Sequence, residues 1–262
     1  MRTCHKLDFV WICKGEQASL QIRLEVCGSR ALLVWLSDES RDTIYQESAG
    51  ADNMKTITVA SAKGGTGKST IASALAVRAS QDAQSVVMMD LNLDQGSLTH
   101  WWHARGQPKL PQLVEEIKNV PRDVRALASN GTEWLFIDTP PADMDLIEQA
   151  VAVANGVLIP VRSGLFDVLA VQPVIEMCQH RKKPFAFVLN AVDAHFKTLT
   201  KQTVAALTEF GPLLPAQISY RSQWIQALTV GKTGPELEKD LKPQIDSLWK
   251  EAQRLVEVRA HA

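Results

Sequence analysis

The sequence predicts an α/β fold: a mainly parallel sheet covered by helices on both faces. Three observations predict it. Short apolar runs at 57–60, 86–89, 134–137, 157–161 and 185–189 alternate with segments of helical periodicity, as repeated βαβ units require. The first run leads directly into Lys63-Gly64-Gly65-Thr66-Gly67-Lys68-Ser69-Thr70 and then a helical pattern over 71–77. That is the strand–loop–helix setting in which a glycine-rich loop grips phosphate. The third run ends in an acid, Asp138, before a stiff Thr139-Pro140-Pro141. Active groups of such sheets collect at the carboxyl ends of the strands, and these features all sit there.

Residues 1–53 stand outside this alternation. Leu20, Ile22, Leu24 and Val26 alternate with Gln21, Arg23 and Glu25, a half-buried strand pattern. Residues 31–36 offer a partner strand across Gly28-Ser29, and 37–53 is polar and linker-like. The expected division is therefore 1–53 and 54–262. At 262 residues and 45% hydrophobic content, the chain can bury one substantial core plus a small appendage. Residues 1–53 hold 6 Lys/Arg and 8 Asp/Glu, against 22 and 21 in 54–262. That near balance neither demands nor excludes nucleic acid, so any such contact must come from a local patch. Cys4, Cys13 and Cys27 lie in the first segment and only Cys178 in the second, which rules out a disulfide or cysteine metal cage within 54–262. No apolar run approaches the ~20 residues that span a bilayer. Phe9-Val10-Trp11-Ile12-Cys13 is too short for a signal-peptide core, and a cytosolic protein is expected.

The loop at 63–70 carries the chemistry. Without Cβ atoms, Gly64, Gly65 and Gly67 let backbone N–H groups turn inward and approach an anion closely. The helix beginning after them adds unpaired amides and a positive end. Lys68 is the candidate cation for the β- and γ-phosphates of ATP, and the Ser69 hydroxyl a candidate Mg²⁺ ligand, with Thr66 and Thr70 in the same cradle. Asp138, at a strand end, is placed to hold Mg²⁺ through a bound water, or else to cap the following turn.

The loop resembles a particular class. In an ordinary Walker A loop the first glycine lies five residues before the second. That position is Ala62 here, and beside it stands a second lysine, Lys63. The pattern resembles the deviant Walker A motif (KGGxGK[ST]) of the ParA/MinD ATPases, a class of P-loop NTPases. There the early lysine reaches across a dimer interface to the partner's nucleotide, the role implied for Lys63. Ile137-Asp138-Thr139-Pro140-Pro141 is similar to the family's Walker B and switch II segment, and 156–167 to its LIPVxPSxxD strand and loop. Met54-Lys55-Thr56-Ile57 is how such a chain usually begins. The expectation is therefore that residues 1–53 are upstream sequence or, alternatively, a small β-rich extension.

Switch I departs from the family. The family segment resembles D-x-D-P-Q-G-x-x-T, whose first acid belongs to the metal site and whose second orients the attacking water. Here it reads Asp90-Leu91-Asn92-Leu93-Asp94-Gln95-Gly96, with one residue inserted. An amide at Asn92 can hydrogen-bond water but cannot accept its proton. Asp94 is expected to recover the role, with slow, partner-stimulated hydrolysis as the alternative. The following Ser97-Leu98-Thr99-His100-Trp101-Trp102 is similar to the small ParF-like partition branch, although both tryptophans also suit a core. Asn190, ending an apolar strand, falls where the family contacts adenine, or is a turn residue.

The resemblance covers 54–262. It implies an ATP- and Mg²⁺-dependent ATPase that forms a homodimer when ATP-bound and binds nonspecific DNA. It would segregate or position a plasmid, chromosome region or protein cargo at the nucleoid, with a ParB-like or adaptor protein stimulating hydrolysis. Arg221 and Lys232, with Lys197 and Lys201 behind them, are the DNA-contact candidates, and Arg221 is expected to lie remote from the loop. A MinD-like membrane-cycling regulator and an ATP-dependent carboxylate- or amide-activating enzyme are the alternatives. Membrane binding is not expected: Leu237, Leu241, Ile245, Leu248, Ala252 and Leu255 form a helical stripe interspersed with acids, as a core-packed helix would.

Overall fold

The computed structural model describes residues 6–14, 17–25, 34–36 and 54–257. The chain divides into two compact units, Met1–Asp52 and Asn53–Ala262. In the first, β1 (Lys6–Lys14), β2 (Gln17–Glu25) and β3 (Val34–Leu36) form an antiparallel sheet in that order. Lys14 opposes Gln17 and Leu20 opposes Leu36. The alternating segment is β2, and its partner is confined to 34–36. The turn at Gly28-Ser29, the linker at 37–53 and the tail at 258–262 lie outside the described residues.

The second unit is built on a seven-stranded, all-parallel sheet. In chain order its elements are β4 (Lys55–Val59), α1 (Lys68–Ala79), β5 (Val86–Asp90), α2 (Ser97–Ala104), β6 (Gln112–Leu113), α3 (Val120–Ser129), β7 (Trp134–Asp138) and α4 (Met144–Val153). There follow β8 (Gly156–Arg162), α5 (Leu165–Leu169), α6 (Gln172–His180), β9 (Phe185–Val192), α7 (Lys197–Phe210), β10 (Leu213–Ser219), α8 (Ser222–Thr229), α9 (Gly234–Leu237) and α10 (Lys242–Glu257). The strand order is β10-β9-β8-β4-β7-β5-β6. The order reverses at β4, so the phosphate loop leaves the sheet at its topological switch point, where such sheets open a crevice.

All five apolar runs are strands. Two further strands escaped the sequence. β6 has two residues, and β10 is half exposed and interrupted by Pro215, so neither presents a long apolar run. Both lie at sheet edges, where a proline's missing donor is tolerated.

Side-chain alternation assigns the two faces. Ile57, Val59, Met88, Phe136 and Leu158 point to one layer, with Ile71, Leu75, Trp101, Leu248 and Trp249 from α1, α2 and α10. Leu135, Ile137, Met89, Ile159 and Leu189 point to the other, with Ile147 of α4, Val174 of α6, Leu207 of α7 and Val124 of α3. Even Thr58, between Ile57 and Val59, is fully buried, its hydroxyl donating to the Ala150 carbonyl at 2.8 Å. The apolar stripe expected to run from Leu237 to Leu255 is shorter. Pro243 sits in the first turn of α10, where proline is accommodated, so the helix begins at Lys242. Leu237 belongs to a separate turn and is exposed, whereas Ile245, Leu248, Trp249, Ala252 and Val256 are buried.

Candidate nucleotide site

The glycine-rich loop lies between β4 and α1. Gly65 (φ 73°) and Gly67 (φ 95°) occupy the left-handed region, which a side chain would make costly. Gly67 is the N-cap of α1 and supplies no side-chain cap; the first helical bond is Ile71 N–H to the Gly67 carbonyl, 3.0 Å. The preceding amides of the first turn are thus left to an anion. Lys68 is buried, and its ammonium donates to the Lys63 carbonyl at 3.2 Å. Burial depresses its pKa, and the nearby Asp138 charge partly restores it. Gly64, Gly65, Gly67, Lys68, Ser69 and Thr70 line a cavity of about 310 Å³, while Thr66 is buried beneath it.

Two acids sit behind the loop. Asp90 and Asp138 end adjacent strands and oppose one another in register; both are buried. Asp90 is fully engaged: Oδ1 accepts from the Asn92 amide (3.0 Å), and Oδ2 from the amide (2.9 Å) and hydroxyl (3.0 Å) of Thr99. Asp138 Oδ1 has no partner. Desolvation pushes the Asp138 carboxyl up to about 7, with Asp90 adding repulsion and Ser69 and Lys68 opposing it. An orphaned buried carboxylate oxygen beside a hydroxyl and a second acid is a hard-oxygen set that suits Mg²⁺. Ser69 and Asp138 can face such an ion. Asp90 has both oxygens committed to the switch turn, which makes it the anchor of that turn.

Asn92 and Asp94 differ in placement. Asn92 lines the cavity with Gln95 and Ser97; Asp94 does not. Gly96 N–H closes a five-residue turn on the Asn92 carbonyl at 2.6 Å, so the inserted residue bulges outward, leaving Asp94 exposed and Leu93 70% exposed.

Lys63 stands at the rim with its side chain 42% exposed, its ammonium 2.9 Å from Asp167 Oδ1. In the sequence Asp167 merely ends the 156–167 segment; its pairing with Lys63 depends on the fold.

A second, smaller cavity of about 160 Å³ adjoins the loop at Gly65, Gly67 and Thr70 and is walled by Arg162, Asn190, Tyr220, Arg221, Trp224 and Ile225. Its residues come from the ends of β8, β9 and β10 and the start of α8. This overturns the expected remoteness of Arg221, which borders the same loop as the phosphate cradle because β10 carries it to the crevice. Arg162, Trp224 and Ile225 were given no role from sequence, for nothing local marks them. Buried Trp224 Nε1 is unpartnered.

Exposed Lys232 lies on a loop fastened to α2. Trp101 Nε1 donates to the Lys232 carbonyl at 2.8 Å, and Arg105 donates to the Gly231 carbonyl at 2.9 Å and forks onto Glu236 at 2.8 and 2.9 Å. Both tryptophans are buried, Trp102 donating to the Pro111 carbonyl at 3.1 Å. Lys197 and Lys201, exposed on α7, are not among the residues lining either cavity.

The chain is similar to known proteins in keeping with this geometry. It is 27% identical over 186 residues to the maintenance of carboxysome distribution protein A of Halothiobacillus neapolitanus, covering 67% of this chain and 84% of that protein. Its fold matches the ATP complex of a McdA variant from Cyanothece with a TM-score of 0.60 at 21% identity, over 78% of this chain and 97% of that one. It likewise matches the MinD cell division protein of Aquifex aeolicus with a TM-score of 0.62 at 16% identity, over 77% and 96%. The family described as the CobQ/CobB/MinD/ParA nucleotide binding domain matches residues 57–233. With its phosphate cradle at the switch point of a parallel sheet, the chain belongs to that family.

Proposed function

We propose that residues 54–262 form an ATPase that dimerises on binding ATP, holds nonspecific DNA in that state and positions a cargo. The observation that carries this reading is the contrast between two lysines of one loop. Lys68 is buried against the cradle, whereas Lys63 is partly exposed and paired with Asp167. A cation so placed can serve a phosphate brought by a second copy.

In this reading the loop amides and Lys68 bind the phosphates, Ser69 and Asp138 hold Mg²⁺, and Asp90 fixes the switch turn. Bound Mg²⁺ supplies charge neutralisation and orients the phosphates. Asn92 orients water without taking its proton, while Asp94 acts only if the turn reshapes; slow, partner-stimulated turnover follows. Cargo of the carboxysome type is favoured by the named relative, with a ParB-like or adaptor protein as stimulating partner and the nucleoid as location. Lys232 is the preferred DNA contact, with Arg221 beside it. No helix among the described residues is long and apolar enough to cross a membrane. The apolar stripe of α10 is spent on the core, which disfavours the membrane-cycling alternative.

The test is DNA retention with and without ATP and Mg²⁺, between about 50 and 200 mM salt. Binding that needs ATP, falls steeply with salt and weakens in Lys232→Glu at unchanged ATP affinity is expected. Retention by anionic liposomes in place of DNA overturns the reading.

A further inference from the structure

The switch turn brings two side-chain amides together at the nucleotide cavity. Asn92 is held at both ends of its backbone: its N–H donates to Asp90 Oδ1 at 3.0 Å, and its carbonyl accepts from Gly96 N–H at 2.6 Å. A bond from residue 96 back to residue 92 gives the segment the spacing of one helical turn, on which side chains three apart lie on the same side. Asn92 and Gln95 are three apart. Leu93 and Asp94, between them, are exposed, while Asn92 and Gln95 both line the cavity of about 310 Å³ with Lys68, Ser69 and Thr139. The bulge that expels Leu93 and Asp94 thus sets Gln95 alongside Asn92, and Asn92 Nδ2 donates to Gln95 Oε1 at 3.4 Å.

The chemistry of that pair is specific. Two amides joined by one bond keep a carbonyl on one member and an NH₂ on the other. Here these are Asn92 Oδ1 and Gln95 Nε2; exchanging oxygen and nitrogen in both amides leaves a pair of the same kind. Water is its complement, because it donates to a carbonyl and accepts from an NH₂. Of the two lone pairs of such a water, one takes the Gln95 hydrogen and the other is left for an electrophile. The phosphate cradle shares the same cavity, and the backbone bonds on either side of Asn92 give the pair a fixed mount.

We propose that Asn92 and Gln95 act as one unit that holds the attacking water, with Gln95 as a second water-orienting residue of the hydrolysis. The water oxygen bonds to the γ-phosphorus as the bond from that phosphorus to the β,γ-bridging oxygen breaks, its electron pair leaving on ADP. Neither amide accepts a proton, so the proton of the water passes to an oxygen of the released phosphate. The proposal rests on the ATPase reading above but not on dimerisation, DNA binding or cargo.

The experiment asks whether the two amides serve one water. Steady-state ATP hydrolysis by the full chain with Mg²⁺ is compared with Asn92→Ala, Gln95→Ala, the double variant and Gln95→Met, which keeps the length of the side chain and removes its hydrogen bonds. Gln95 is exposed and the turn is closed by backbone, and an ATP titration of each variant checks the fold. The expected result is a fall in kcat of about threefold to tenfold in each single variant, with KM within about twofold of the parent. The double variant should lie no more than about twofold below the slower single, since both deletions remove the same water. Losses that multiply in the double variant, or a Gln95→Ala or Gln95→Met chain as fast as the parent, overturn the proposal. A raised KM at unchanged kcat also overturns it and places Gln95 on the nucleotide instead of the water. A parent chain that binds ATP without hydrolysing it overturns the ATPase reading itself, a result distinct from any difference among the variants.

Discussion

The two ends of the crevice are built differently. Half of the larger cavity's lining comes from one continuous segment, residues 64–70, whose glycines open its backbone to an anion, with Asn92, Gln95, Ser97, Thr139, Pro141 and Leu228 completing the wall. The smaller cavity is assembled from side chains far apart in sequence, with Arg162 from β8, Asn190 from β9, Arg221 from the turn after β10 and Trp224 and Ile225 from α8. A site made of backbone tolerates little variation in sequence and reads as a motif. A site made of converging side chains can be re-made residue by residue, and reads as nothing until the sheet is in place.

The contrast predicts a graded response. Lys68→Ala removes a buried cation facing two phosphates, and ATP affinity should fall at least about a hundredfold, measured by fluorescence titration. A loss of only a few-fold would move the weight of binding to the smaller cavity. Next, Lys63→Ala should bind ATP within about threefold of the parent, since an exposed charge contributes little locally, yet stay monomeric by light scattering. A stable dimer would mean that the rim lysine belongs to its own subunit, through Asp167.

Asp138 tests the acids behind the loop. Its folded carboxyl is raised to about 7, above the ordinary 3.8, so the folded state retains a proton that the unfolded chain releases. Its contribution to stability is therefore fully present below about pH 4 and is lost as pH rises towards 7. In the presence of a chelator and without nucleotide, Asp138→Asn should melt above the parent at pH 8, by about 2–4 °C per kcal/mol relieved. The two melting curves should converge at about pH 4 and below. A variant less stable at pH 8 would show that the Lys68 and Ser69 contacts outweigh desolvation.

At the smaller cavity, Arg221→Ala should weaken ATP by no more than about fivefold and leave tripolyphosphate untouched. A loss rivalling that of Lys68→Ala would erase the distinction between the two ends. The smallest effect is expected in the switch turn. Asn92→Ala, in the cavity wall, should change turnover by about threefold to tenfold, and Asp94→Ala, on the exposed bulge, by less; the reverse order in a steady-state assay would show that the turn reshapes around nucleotide.

The fold was legible where burial leaves its mark on composition. Each central strand is apolar on both faces because helices cover both, so 57–60, 134–137 and 157–161 announce themselves. The edge strands do not, because Pro215 and the exposed positions of β10 are compatible with a loop. In the site, Lys68, Ser69 and Asp138 follow from spacing alone. The pairing of Lys63 with Asp167, the Thr99 contacts to Asp90 and the approach of Arg221 to the loop are contacts between segments, which no local pattern encodes. The insertion at Asn92–Asp94 illustrates the limit: counting residues finds an extra one, but only the hydrogen bond from Gly96 to Asn92 decides which residue is expelled.

One helix joins these threads. α2 is eight residues long, about 12 Å at the usual rise; it starts with Ser97 in the phosphate cavity and ends at Arg105, bonded to Gly231 and Glu236. The Gly231 position allows no slack: a Cβ there would stand 2.1 Å from the Arg105 amide nitrogen. Such a strut behaves as a pushrod. A displacement of its cavity end either carries the Lys232 carbonyl along or breaks the Trp101 bond and the Arg105 fork together. The outer loop thus cannot drift on its own, and substitutions at Trp101, Arg105 or Gly231 alter its mechanical stiffness before they alter any chemistry.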